Sequence, residues 1–350
     1  MSFGLSWKNW VGYAIDSGAE SPYYTATASG AGGAAAPLHV IPLAGAESIK
    51  VNRNTLFSPT VEGVSPAPMK QSAGGITVGG SIPSCLIPGM WGGVGDGKLF
   101  DWAYNRVTLT CSDTTEEWQL PSATLWIKLA TNNIIKKVIG AKVNSFTIEN
   151  PEGAAYTTFS IDIIGREIVN VTTDPSNVTE GAVLHDLYED FSDIPVPEYR
   201  TKDAGLAFGT IGSAEWASPW TGYDPDSMNW SVKVDNKHTE DGFRLDGTGL
   251  LRRLYSTGRE VTGSIGRDLR SHTQYDNFLA GTEMALSLLL YRGTASTLIT
   301  LPRIVYEEGD PVSEGTRETH NKQALTFRAM GAYSGTPVGI GSEIKITETV

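Results

Sequence analysis

The chain has 350 residues, 40% of them hydrophobic and 19% charged, with a formal net charge of −12 at pH 7. That balance describes a folded globular chain and counts against one that grips nucleic acid, which needs basic surface to neutralise phosphates. No apolar run approaches the roughly 18 residues of a membrane helix, and two cysteines, Cys85 and Cys111, are too few for a disulfide framework. The first ten residues lack a basic stretch followed by an apolar one, so neither secretion nor membrane insertion is expected. With 39 Gly and 18 Pro, many short strands and turns are expected.

Residues 1–37 read as an arm. It carries Phe3, Trp7, Trp10, Tyr13, Tyr23 and Tyr24, then a small-residue run at 29–36 that cannot fold alone. The six aromatics point to docking on a neighbouring subunit rather than to a solvated tail. A first β domain spans 38–168, with strands at 49–51, 76–82, 123–130, 141–149 and 156–164 and a helical turn at 87–91. Inside it, the acidic and aromatic stretch 98–120 reads as an insertion. A connector, 169–200, holds Asp186, Glu189, Asp190, Asp193 and Glu198 around a short helix at 182–189. The second β domain, 201–350, has strands at 231–235, 260–265, 285–291, 303–307, 324–330 and 343–349. Between them, 273–279 reads as a helix, with Tyr275, Phe278 and Leu279 at i, i+3, i+4 spacing and Gly281 as its stop.

Parts of the pattern occur twice. Val78-Gly79-Gly80-Ser81-Ile82 matches Val261-Thr262-Gly263-Ser264-Ile265, and Ser48-Ile49-Lys50-Val51-Asn52 matches Ser231-Val232-Lys233-Val234-Asp235, both 183 residues on. Leu125, Ile127 and Leu129 match Leu286, Leu288 and Leu290 at an offset of 161. Phe146 and Pro151 match Tyr306 and Pro311 at 160, and Phe159-Ser160-Ile161 matches Leu325-Thr326-Phe327 at 166. Five blocks in one order make a tandem duplication of a β-rich unit.

Chemistry is scarce. The run GGVGDGK at 92–98 fits a phosphate-cradling loop, but Leu99 stands where a hydroxyl must reach magnesium, so a flexible glycine loop is the reading. His39, His185, His238, His272 and His320 have no metal-ligand spacing. Asp224, Asp226 and Asn229 offer calcium-type oxygens, although an Asx turn accounts for them more simply. No catalytic, cofactor or metal residue is assigned. A duplicated β unit without catalytic groups points to assembly, because open strand edges pair with the next subunit.

The second half carries WSVKVDN at 230–236, GREVTGS at 258–264, YDNFLAG at 275–281, alternating leucines at 286–290, ITLPRI at 299–304 and ALTFRA at 324–329. The first half has a looser version at 78–88 and 142–165. In this order the residues resemble the two-domain tail tube (major tail) proteins of tailed bacteriophages. The resemblance implies a mainly β fold: two tandem β-sandwich or half-barrel units, each with a short flanking helix, forming a ring-spanning β-barrel on oligomerisation. It implies a structural virion protein rather than an enzyme, made in the host bacterial cytoplasm. Homotrimeric rings would stack into a tube that holds the tape measure protein and then passes DNA without specific binding. Tail terminator and distal tail proteins are implied at the tube ends, and an acidic channel wall would suit DNA passage.

On this reading the assembly residues are Gly80 and Gly263 at tight backbone positions, with Ser264 beside the second, Phe278 and Leu279 on a helix packed on the sheet, and Pro302. Two readings from other classes stand beside it. One is a soluble β-sandwich module binding carbohydrate or another ligand on its nine Trp and thirteen Tyr. The other is a hydrolase with converging carboxylates.

Overall fold

A computed structural model describes residues 10–15, 39–57, 71–92, 98–104, 120–129, 134–153, 155–171, 198–211, 223–239, 254–312, 321–331 and 343–349. The elements of the first half are β1 (Trp10–Ile15), β2 (His39–Ile41), β3 (Lys50–Phe57), β4 (Gln71–Cys85), α1 (Leu99–Tyr104) and β5 (Ala123–Leu129), then β6 (Ile134–Asn150), β7 (Thr158–Gly165) and β8 (Glu167–Val171). The second half opens with β9 (Ala204–Gly209), β10 (Ser227–Asp235), β11 (His238–Thr239), β12 (Tyr255–Ser256), β13 (Glu260–Asp268) and α2 (Thr273–Leu279). It continues with β14 (Met284–Arg292), β15 (Ala295–Glu308), β16 (Pro311–Val312), β17 (Lys322–Ala329) and β18 (Lys345–Thr349).

All strands except β11 and β12 belong to one antiparallel network. Two long strands organise it. The start of β6 pairs with β5 and β8, and its end pairs with β7 and β10. The start of β15 pairs with β14 and β18, and its end with β17. Each therefore passes from one layer into another, and in each the crossing coincides with a register shift, which bends a strand.

Alternation makes these strands. In β17, Gln323, Leu325, Phe327 and Ala329 turn inward while Ala324 and Arg328 stay outside. Trp230, Val232 and Val234 do the same in β10. The inward residues of both halves merge into one core. At its centre Trp91 meets Phe146 and Phe159 with ring centroids 5.2 and 5.0 Å away.

Helix α2 has the bounds that its periodicity predicts. Gly281, at φ +60°, ends it: the Gly281 N–H donates to the Phe278 carbonyl at 3.0 Å and the Thr282 N–H to that of Asn277 at 2.9 Å. Leu279, however, does not pack on the sheet: it is 64% exposed, and Gln274 is the buried residue of the helix. Gln274 fills that place because its carbonyl accepts from the Tyr306 hydroxyl at 2.9 Å.

Three further expectations change. Residues 88–91 form turns, and the helix lies at Leu99–Tyr104, inside the stretch expected to be an insertion. Leu99, Trp102 and Ala103, at i, i+3, i+4, are all buried there, and the Trp102 indole N–H donates to the Ala141 carbonyl at 3.0 Å. Part of the expected arm is a strand of the chain's own network: β1 runs antiparallel to β5, and buried Tyr13 stacks 5.5 Å from Trp102. The expected helix at 182–189 lies outside the described residues, as do the remainder of the arm and residues 105–119.

Candidate assembly edges

The two halves pair their strands in matching order. Lys50 faces Gly79 as Lys233 faces Thr262, and Val78 faces Gly165 as Val261 faces Ala329. Leu125 faces Val138 as Leu286 faces Leu301, each just past a register shift. Val143 faces Ile163 as Tyr306 faces Phe327, each just before another. Beyond β15, Pro311 and Val312 face Gln323 and Lys322 where Ile148 and Glu149 face Phe159 and Thr158. Strand β1 flanks β5 as β9 flanks β14, and β8 lies beside β6 as β18 lies beside β15.

Register corrects two of the sequence matches. Tyr306 has Val143 as its counterpart, not Phe146, and Phe327 has Ile163, not Ile161. The second slip is two residues long, which leaves every side chain on its face and so leaves no trace in the hydrophobic pattern.

Gly80 and Gly263 occupy equivalent close approaches. A Cβ on Gly80 would lie 2.5 Å from the Ser48 carbonyl oxygen. One on Gly263 would lie 2.3 Å from the Ser231 carbonyl oxygen and 2.3 Å from the Phe327 ring. Ser264 bonds its hydroxyl to that of Ser231 at 2.7 Å, while in the first half the Ser81 N–H donates to the Ser48 hydroxyl at 2.8 Å. Pro302 is buried at the β15 register shift, where the ladder is already interrupted. Phe278 packs on the core over Gly309, whose Cβ would meet its ring at 2.9 Å.

What joins the halves is the pairing of β6 with β10. Trp230, Val232 and Val234 face Asn150, Ile148 and Phe146, and the Asn236 N–H donates to the Asn144 carbonyl at 2.8 Å. A second tie lies between β18 and the loop after β4. The Glu348 carboxylate accepts from the N–H groups of Trp91 (3.0 Å) and Gly92 (2.8 Å) and from the Thr297 hydroxyl at 3.2 Å, and its burial raises its pKa. No local pattern points to this tie, because a lone Glu on an amphipathic strand reads as solvated. Glu348→Ala is expected to cost about 2 kcal/mol in chemical denaturation, the loss typical of hydrogen bonds to a charged group. A change under a few tenths would mean that water replaces the carboxylate.

Among the described residues, the opposite edges of these ladders have no such partner. Strand β3 pairs with β4 alone, and β16 with β17 alone. The Ile49 N–H, counterpart of the Val232 N–H that faces β6, donates to the Glu47 carboxylate at 2.6 Å instead. Pro311 on the other edge has no N–H, a device that blunts open strands.

The polar face of β7, β10, β13 and β17 carries Ser160, Asp162, Ser231, Lys233, Thr262, Ser264, Thr326 and Arg328. Both charge signs are present. Arg328 bridges Glu260 and Glu307, each at 2.7 Å, and the Lys237 side chain bonded to Glu260 helps hold that carboxyl below its ordinary pKa. The overall negative charge is thus not concentrated on this face.

The other motifs resolve locally. The Lys98 ammonium donates to the Gly89 carbonyl at 3.1 Å, folding back on its own loop rather than facing a phosphate. Asp224 accepts from the Ser227 hydroxyl at 2.7 Å, and both Asp224 and Asp226 meet the buried Arg267 guanidinium at 3.3 and 3.5 Å. The cation there is an arginine. Trp91, Trp102, Trp126 and Trp230 are core residues and offer no stacking platform.

A family model for phage tail tube proteins matches residues 17–329, nearly the whole of this fold. A search of curated proteins returns no match. The matched span takes in every strand but β1 and β18, the joint between the halves and both helices, and the chain belongs to the phage tail tube protein family, as a structural component of the virion.

Proposed function

We propose that the chain assembles into homotrimeric rings of pseudo-sixfold symmetry that stack into the tail tube. The two halves, each a copy of one β unit, then stand for two subunits of a hexameric ring. The observation that carries this reading is the β6–β10 joint, where the sheet passes from one half to the other and leaves at its two ends edges complementary in the same way, β3 standing for β10 and β15 with β16 for β6. Continued through three chains, the sheet closes as a barrel and removes its own edges. The polar face of β7, β10, β13 and β17 lines the channel. Small hydroxyls and charges of both signs give it no net grip on phosphates, so the channel first holds the tape measure protein and then passes DNA passively. Tail terminator and distal tail proteins cap the stack. The protein is made in the host cytoplasm and works without cofactor or catalysis.

Negative-stain electron microscopy of the purified protein, with a sizing column alongside, tests this. Hollow tubes or rings with masses in multiples of three chains are the expected result. A chain that stays monomeric when concentrated and also when mixed with tail initiation complexes overturns it.

A further inference from the structure

Resting on the tail tube reading, the structure assigns the joint between chains residue by residue: we propose that it repeats the joint inside the chain. The β6–β10 pairing supplies the template. Strand β3 is the register counterpart of β10, and the end of β15 with β16 is the counterpart of the end of β6. Transferring the template puts β3 of a second copy along 308–312. Asn52 then faces Glu308, Val51 faces Gly309, Lys50 faces Asp310 and Ile49 faces Pro311.

Three features of the free chain fit this arrangement. Val234, inside the existing joint, is fully buried, whereas its counterpart Val51 is 47% exposed although it lies on the core-facing side of β3. The new joint covers it. Lys50 and Asp310, both exposed, come opposite each other as a complementary pair, the favourable arrangement for charges across strands. At the flank of the internal joint, Tyr104 at the end of α1 donates to the Glu343 carboxylate at 2.7 Å, just before β18. The same transfer carries Leu279, at the end of α2, to Glu167 at the start of β8 in the second copy, on the face that presents exposed Val169 two residues on. Leu279 and Val169 are 64% and 43% exposed in the single chain, and this contact shelters both.

The two edges also explain each other's chemistry. Glu47 holds the Ile49 N–H in the free chain. In the joint that N–H turns to the Pro311 carbonyl, the acceptor that a proline still offers. Proline cannot return the second bond of such a pair, from an N–H at 311 to the Ile49 carbonyl, so this pair closes through one bond and the edge stays blunted against other strands. The Glu47 carboxylate covers the edge until the partner displaces it.

The test is a double variant, Lys50→Cys with Asp310→Cys. Val232 and Val234 form hydrogen-bonded pairs with β6, so the intervening position, Lys233 opposite Thr147 and hence Lys50 opposite Asp310, is a non-hydrogen-bonded pair whose side chains lie closest. Mild oxidation of assembled tubes is expected to link most chains into covalent trimers that dissociate on reduction, with no linking in unassembled protein. Tubes that form but do not link at 50 and 310, while a pair shifted by two residues (Lys50→Cys with Val312→Cys) does, overturn the register and leave the tube reading standing. Wild-type protein that forms no tubes under any condition overturns the reading itself and the joint with it. Both sites are exposed in the single chain, so a thermal melt of each variant matching the wild type confirms that folding is not at issue.

Discussion

Gly263→Ala is expected to destabilise the chain by about 3 kcal/mol or to prevent folding, the upper range for forcing atoms into a packed core. The added methyl meets two obstacles at once. The Ser231 carbonyl oxygen is backbone, held in the β10–β13 ladder, and the Phe327 ring is buried on β17 with no room to turn. Neither can yield without parting a strand pair. Gly258→Ala is the control, since a methyl there meets nothing within 4 Å, and its melt is expected to match the wild type. Equal effects from the two substitutions would show that chain entropy, not the close approach, sets the cost. Gly80→Ala should follow Gly263, because its methyl meets the backbone of Ser48 and Ile49.

The second large effect concerns a charge. Lys142 on β6 is fully buried, and that desolvation lowers its pKa from 10.5 to about 7. Its register counterpart in the second half is Val305, so an apolar side chain suits the place. The sign follows from proton counting. Between pH 7 and 10.5 the unfolded chain holds the proton and the folded chain has released it, so stability rises with pH across that window. Below pH 7 the ammonium is buried and the full penalty is present, up to about 5 kcal/mol at roughly 1.36 kcal/mol per pH unit. Lys142→Met keeps the volume without the charge. It is expected to be more stable than wild type by a few kcal/mol at pH 6, with the difference vanishing by about pH 10.5. Urea titrations of both proteins at pH 6, 8 and 10 check this, and a difference that does not depend on pH would put the cause in packing instead.

What could be read from the sequence followed from local pattern. The helix over 273–279 declared itself through Phe278 and its neighbours at helical spacing and through Gly281. Strands β10, β13 and β17 alternate cleanly, and the matches of β10 and β13, 183 residues apart, agree with the pairing found. What stayed hidden depended on distant partners. Strands β1 and β9 are six residues each, β9 is rich in small residues, and only the flanks of β5 and β14 make them strands. The first halves of β6 and β15 were missed because they are buried beside two neighbours and lose the alternation of a half-solvated strand. The hairpins differ in length between the halves, with Val138 following Leu125 by 13 residues and Leu301 following Leu286 by 15, so no fixed offset runs through the repeat. Of the assembly edges, the outline was present in Val51 and Lys50, but Glu47 and Pro311 acquire meaning only when the ladders are known.

The hydrogen bond from Gly92 to Glu348 spans 256 residues of chain. A ribosome adding roughly 5–20 residues per second takes on the order of tens of seconds to make that stretch. Within that interval β7 emerges and the ladders of β3, β4 and β7 can close while the strap across the Trp91 loop has yet to be made. Synthesis therefore acts as a clock: the local strand pairs have time to close before the last strand fixes the first half against the second, and a nascent chain offers a finished pair of edges to its neighbours only after its own long-range tie is in place.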